Sequence, residues 1–307
     1  MAETETPQPP KVSVLIVSHN SAAPLRRCLA ALERSEERET FEILVVDAGS
    51  QDESPTLDME FPAATFLRMP RHFGLSKAFN VGMRTAKGEL VLFLEPNVEV
   101  FPDMVSRLAA ALEAETQAVA VCPLLVNPEG EPAPEIYKLP DREGIAAAWR
   151  AGRFTAPFPA ELTGEPIPVE MPTLAALMVR LYFLRGLRYI DERYGNSWIE
   201  TEISFQILRA SRKILLVPAA RAIRHPEPGR VFAEGARVEA LLAADWALCA
   251  ATYAAKRFGF FAGLKVRMAA VLQALGALGR LHRPGVQLHR LLFLLQGQKL
   301  DGTQRLL

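Results

Sequence analysis

Acidic side chains mark three corners of this 307-residue sequence: Asp47, Glu95 two positions before Asn97, and Glu200 with Glu202. Carboxylates gathered in one place can take a proton from a reacting hydroxyl or hold a hard divalent cation. Singly, each corner also reads as a turn former or helix cap, positions that acidic residues favour for backbone reasons. Glu200 and Glu202 lie two apart at the start of a helical stretch, so they point in different directions. One of them can enter a site while the other caps or braces.

The elements around these corners place them on one edge. Lys11 to Val17 (KVSVLIV) is apolar and β-branched nearly throughout, as a strand buried on both faces requires. Leu25, Cys28, Leu29 and Leu32 then mark one stripe of a helix, with Pro24 suited to its first turn. Glu42–Val46 is a second strand ending at Asp47. A short strand near Thr65–Leu67 precedes a helix over about Ser76–Thr85, and Glu89–Leu94 is the next strand, ending at Glu95-Pro96-Asn97. Val105, Leu108, Ala109 and Leu112 mark another helix. This order predicts a doubly wound sheet, whose ligands bind outside the carboxyl ends of the strands, where Asp47 and Glu95 lie. Residues 123–170, rich in Pro, Gly and Glu, predict irregular structure. A strand at Leu174–Arg180, a helix led by Glu200 and Glu202, and a last strand at Ile214–Val217 follow. The chain is helical in pattern from about Ala236.

Composition excludes several classes. Half of the residues are hydrophobic and 35 basic residues balance 35 acidic ones, so neither disorder nor a nucleic-acid partner is expected. Three scattered cysteines make no disulfide framework and point to a reducing compartment. The start, MAETETPQPP, lacks the basic and apolar regions of a signal peptide. The stretch closest to a membrane span, Phe260 to Leu281, carries Lys265, Arg267 and Arg280. A cytoplasmic chain is expected. The segment from Phe258 to Leu295 mixes apolar residues with basic ones and contains no Asp or Glu. It predicts either helices that pack on the domain or form a homodimer, or an interfacial helix that makes a peripheral contact with the inner face of the cell membrane.

The motifs, in their order and spacing, resemble the inverting glycosyltransferases of family 2, in particular rhamnosyltransferase-like members. The matching stretches are Val12–Asn20, Ile43–Ser50, Arg71–Gly82, Gly88–Val100, Leu174–Arg180, Tyr189–Tyr194, Trp198–Arg209 and Val217–His225. The resemblance implies an α/β GT-A fold over residues 11–230 (nucleotide-binding half 11–115, acceptor-binding half 116–230). A disordered tail at 1–10 and a helical extension at 231–307 would flank it. It further implies transfer of a sugar from a UDP- or dTDP-linked donor to a saccharide or lipid-linked acceptor in cell-surface polysaccharide synthesis. Asp47 would hold the base and ribose, bordered by Val17, His19 and Ser50, with His72 and Asn80 beside the donor. Glu95, Asn97 and His225 would hold Mn²⁺ or Mg²⁺ on the diphosphate, which Arg230 could also reach. Glu200 or Glu202 would be the base. Trp198 reads as an acceptor platform or as a core residue.

Departures from the family pattern accompany the matches. Asn97 stands where the family has a metal-ligating Asp, and an amide brings no charge to a hard-cation site. Glu200 and Glu202 each replace an Asp. These changes motivate a rival reading, a catalytically silent member that binds or scaffolds. A nucleotidyltransferase on a related sheet would want a Gly-rich phosphate loop, which Ser18-His19-Asn20-Ser21 does not supply.

Overall fold

The computed structural model describes residues 9–133, 135–157, 162 and 164–300. All but the last two residues of the expected N-terminal tail lie outside them. The chain begins β1 (Val12–Ser18), α1 (Ala22–Glu33), β2 (Phe41–Asp47), β3 (Ala64–Arg68), α2 (Leu75–Thr85) and β4 (Leu90–Leu94). It continues through β5 (Val98–Val100), α3 (Met104–Ala114), β6 (Ala118–Val126), β7 (Ile136–Tyr137), α4 (Arg142–Ala151), β8 (Ile167–Val169) and β9 (Met171–Pro172). Then come β10 (Ala176–Arg180), α5 (Leu181–Gly186), α6 (Ile199–Arg209), β11 (Lys213–Arg224), α7 (Ala236–Phe258), α8 (Phe260–Gly279) and α9 (Pro284–Gln296).

Among the described residues the main sheet runs in the order β3-β2-β1-β4-β10-β6-β11-β5, with β8 also paired to β11. The first four strands are parallel, as the alternating pattern of the first 115 residues predicts. β10 is antiparallel to both of its neighbours. Alternation along the central strands fills two apolar layers. Val14 and Ile16 of β1 face the layer that takes Leu25, Leu29 and Leu108, while Leu15 and Val17 face the layer of Phe79, Met83 and Tyr253. The Val17 side chain is thus in the core, and only its backbone faces the strand edge expected to border the base. α2 lies close to the sheet because position 82 is glycine; a Cβ there would come within 2.1 Å of Leu15 Cδ1.

Register brings the strand ends together. Ser18 pairs with Asp47, Asp47 with Arg68, and Ile16 with Leu94, so β1, β2 and β4 finish at one edge. β10 starts there, and Ala175 O accepts a bond from Glu95 N at 2.9 Å.

The segment expected to be irregular contains ordered elements. α4 is capped by Asp141, which accepts from Gly144 N at 2.7 Å, and ends at Gly152 in the left-handed region (φ 66°). β7 and β9 form a separate ribbon. The last strand is longer than predicted. β11 runs on past Pro218 through a register shift, so its end reaches the β4 corner. The C-terminal helices divide by burial: α7 is a core helix, with Leu241, Ala244, Leu248 and Tyr253 in the main apolar layer, whereas α8 keeps much of its surface exposed.

Candidate active site

The β1 and β2 corners are knitted together. Ala48 O is held by His19 Nδ1 at 3.0 Å, Asn20 N donates to Ser50 Oγ at 2.9 Å, and Gln51 N donates to Asn20 Oδ1 at 2.7 Å. Gly49, at φ 75°, makes the turn; its missing Cβ would lie 2.4 Å from Arg71 Cα. Asp47 is buried. One carboxylate oxygen accepts from Ser50 N at 3.2 Å, and the other is buried with no partner among the described residues. An orphaned carboxylate oxygen is costly unless something donates to it.

His72 lies 5.0 Å from His19, edge to face, and Phe232 packs on both rings. His72 Nδ1 accepts from Gly74 N at 3.1 Å, and burial keeps the ring well below the usual imidazole range. The ring is therefore neutral with its proton on Nε2, an atom that is buried without a partner among the described residues. Phe232 arrives on the loop after β11. That loop is fastened by Val231 N to His19 O at 2.8 Å, Asn20 Nδ2 to Val231 O at 3.2 Å, and an Arg27–Glu227 ion pair.

The β4 corner holds the densest charge. Glu95 is bridged by two guanidinium groups, Arg224 on one oxygen and Arg230 on the other, the latter at 3.1 Å. Burial pushes its carboxyl upward, but Arg230 and Arg224 outweigh it and hold the group down at about 2. Arg224 also reaches Asn97 Oδ1 at 3.1 Å and Glu135 at 3.3 Å. Beside this cluster opens a cavity of about 720 Å³, lined by Glu95, Asn97, Glu135, Arg224, Arg230 and Phe232 among others.

Two of the expected cation ligands have polar atoms engaged by protein partners. Asn97 gives its amide nitrogen to His225 O at 3.0 Å and to Glu227 O at 2.7 Å, while its oxygen is taken by Arg224. His225 turns its ring to Glu99, with Nε2 at 2.9 Å. Among the described residues no three His, Cys, Asp or Glu side chains converge as a metal set. A divalent ion at Glu95 would displace two guanidinium contacts and sit against like charge. Each unit of like charge at about 4 Å costs on the order of 4 kcal/mol at an effective protein dielectric. The donor set drawn from Glu95, Asn97 and His225 therefore does not fit a divalent cation.

The two glutamates of α6 separate as their spacing requires. Glu200 senses the charges of Glu95, Glu135 and Arg230; burial, aided by the two carboxylates, raises it to about 7. Glu202 faces the opposite way and is buried. It accepts from Tyr194 Oη at 2.9 Å and Gln206 Nε2 at 2.8 Å, and pairs with Lys256 of α7. The reading that placed the base at either Glu200 or Glu202 is corrected at Glu202, whose oxygens are engaged in bracing α6 against α7. Asn80 is likewise structural, holding Ile190 through both O and N and touching Glu192 at 3.0 Å. Trp198 is fully buried in an aromatic cluster with Phe154, Trp246 and Tyr253, so it is a core residue and no platform.

Three contributors were missed from sequence. Arg224 carried a signal, a cation ending a strand next to His225, but its partner is 129 positions away. Glu135 comes from the stretch read as irregular, and Phe232 from a loop with no pattern of its own.

The mixed α/β sheet with flanking helices and a helical C-terminal part is a GT-A-like fold. GalNAc-T7, in a crystal structure with UDP, GalNAc and Mn²⁺, superposes over 95% of this chain and 57% of its own, with a TM-score of 0.61 and 16% identity. The mannosyltransferase PcManGT from Pyrobaculum calidifontis, solved with GDP-Man and Mn²⁺, covers 94% of the chain and 85% of its own at a TM-score of 0.55 and 16% identity. Residues 13–182, more than half of the chain, match the family described as glycosyl transferase family 2, and the chain belongs to that family. A Bacillus subtilis glycosyltransferase, YfnE, is 32% identical over 117 residues, 37% of this chain. That match spans 30% of YfnE, and matches to further curated relatives also span about a third of their length. The N-acetylglucosaminyl-diphospho-decaprenol L-rhamnosyltransferase of Mycobacterium tuberculosis is 25% identical over 232 residues, 69% of this chain and 75% of that protein.

Proposed function

We propose that the protein moves a sugar from a nucleotide-diphosphate donor, UDP- or dTDP-linked, to a hydroxyl of a saccharide or lipid-linked saccharide, with inversion at the anomeric carbon. One observation carries the reading: Glu200, in the first turn of α6, feels the charges of Glu95, Glu135 and Arg230, which line the cavity, and its carboxyl is raised to about 7. The acceptor O–H gives its proton to a Glu200 oxygen as that hydroxyl oxygen bonds to the anomeric carbon. The opposite C–O bond breaks with its electron pair going to the diphosphate. Asp47, with one oxygen unpartnered among the described residues, supplies an acceptor for a base or ribose donor group. The rhamnosyltransferase relative supports a lipid-linked saccharide as the acceptor class and polysaccharide assembly as the setting.

The exposed apolar residues of α8 and α9 support a peripheral seat on an anionic membrane, where such an acceptor would be met. Phe261, Leu264, Met268, Leu272 and Leu275 form one stripe along α8, and Phe260 and Phe261 at its start are 72% and 81% exposed. Lys265 and Arg280 accompany them without an acidic residue from Phe258 to Leu300, the charge that an anionic headgroup layer attracts.

The Val231–Phe232 segment packed on His19 and His72 favours a second reading, a silent member whose nucleotide cleft is closed. Calorimetry with a panel of nucleotide sugars, paired with product analysis, separates the two. Transfer predicts that Asp47→Ala abolishes nucleotide binding, while Glu200→Gln binds like the parent and does not turn over. A chain that binds no nucleotide, or a Glu200→Gln variant with parental turnover, refutes the proposed chemistry.

A further inference from the structure

We infer that Arg224 and Arg230 form the diphosphate site of this protein, two guanidinium groups supplying the positive charge there, so that donor binding needs no metal. The inference rests on the nucleotide-sugar reading above and adds to it how the leaving group is held.

Four observations converge. First, both arginines close on the same carboxylate, one on each oxygen of Glu95, and both line the cavity. Second, their hydrogen-bonding capacity exceeds what Glu95 can absorb. A guanidinium carries five N–H donors in a rigid fork, and Arg230 Nε is buried with no partner among the described residues. Third, the loop is shaped to bring Arg230 in. Gly229 packs so tightly on the β4 corner that a Cβ would lie 3.0 Å from Pro96 Cδ and 3.1 Å from Asn97 Oδ1. Fourth, the residues that would ligate a cation have their donor atoms engaged. Asn97 offers its oxygen to Arg224, and His225 its Nε2 to Glu99.

The ligand that suits two forks beside a roomy cavity is a diphosphate, whose paired, negatively charged oxygens accept bidentate N–H bonds. Glu95 then serves as a positioning residue. Its carboxylate orients the forks before the donor arrives, and each arginine can shift donors from Glu95 to phosphate oxygens without leaving the corner. As the glycosidic bond of the donor breaks, charge builds on the departing oxygens, which is where preorganised cations act.

The test is calorimetry of the full chain with UDP, dTDP and inorganic pyrophosphate, in EDTA and again with Mn²⁺. The inference expects at least one of these probes to bind in EDTA, with affinity within about twofold of the Mn²⁺ value. Arg230→Ala, which lies in a loop and leaves the sheet untouched, should weaken that binding at least tenfold and reduce its salt dependence. Arg230→Lys, a point charge without the fork, should restore only part of it. Binding seen only with Mn²⁺ overturns the inference and leaves the transferase reading standing. Parental affinity in a folded Arg230→Ala variant overturns it equally. Absence of binding under both conditions overturns the transferase reading, and the inference with it.

Discussion

Glu200 carries the chemistry proposed at this site, and its environment sets the pH at which it can act. Burial beside Glu95 and Glu135 lifts its carboxyl from 4.5 to about 7, so the proton needed off the base is still present in mildly acidic solution. For a single base, kcat/KM should climb about tenfold per pH unit below roughly pH 7 and level off above it. A rate profile flat down to pH 5 would remove Glu200 from the role. The same shift has a stability consequence of opposite sense to the usual paired carboxylate. Unfolded, the group ionises near 4.5; folded, it keeps its proton to about 7. The native state thus binds more protons in that window, and this group's contribution falls as pH rises through it. Melting curves of Glu200→Gln between pH 4.5 and 7 should therefore decline less than those of the parent.

At the scale of elements, the turn after β2 and the start of α6 are where backbone conformation presents a functional side chain. Gly49 holds φ 75° and sits against the Arg71 backbone, so Gly49→Ala meets both a left-handed strain and a backbone clash. The strain alone costs about 1–2 kcal/mol, and the turn that offers Asp47 must move. The expected result is a lower denaturation midpoint together with loss of nucleotide affinity; an unchanged affinity would show that the turn does not present Asp47. Trp198, the N-cap two residues before Glu200, is also left-handed (φ 65°), and the aromatic cluster that buries it holds that geometry. Several elements were readable from sequence for a physical reason. β1, β2 and β4 alternate between two apolar layers, and α1 and α3 show one stripe each, so periodicity alone locates them. α4 had legible signals, with Asp141 at its start, Gly152 at its end and Ile145, Ala148 and Trp149 on one side, but they lie in a Pro- and Gly-rich stretch that masks them. The extension of β11 past Pro218 depends on its register with β6 and β5, which no local pattern encodes.

For the whole molecule, an exposed apolar surface among the described residues is the stripe of α8 with Leu288, Leu292 and Leu295 of α9. α7, equally apolar, is consumed by the core, which is why composition alone could not say which helix was free. Sedimentation with vesicles of anionic lipid should pull the protein down, vesicles of neutral lipid should do so less, and Phe261→Ser with Leu272→Ser should abolish it. A dimer in solution that buries these residues, with no lipid binding, would assign the face to a second copy instead.

From the amino-acid order came the parallel first half of the sheet, the shared edge of Asp47 and Glu95, the opposed directions of Glu200 and Glu202, and the resemblance to family 2. Tertiary structure alone decided that Glu202 braces α6 against α7, that Asn80 and Trp198 are structural, and that Arg224 and Arg230 clasp Glu95 across 129 and 135 positions. The division has a plain cause. Side-chain periodicity assigns a residue to a face of its own element, whereas the partner of a charge is set by strand register and loop closure between elements far apart in the chain.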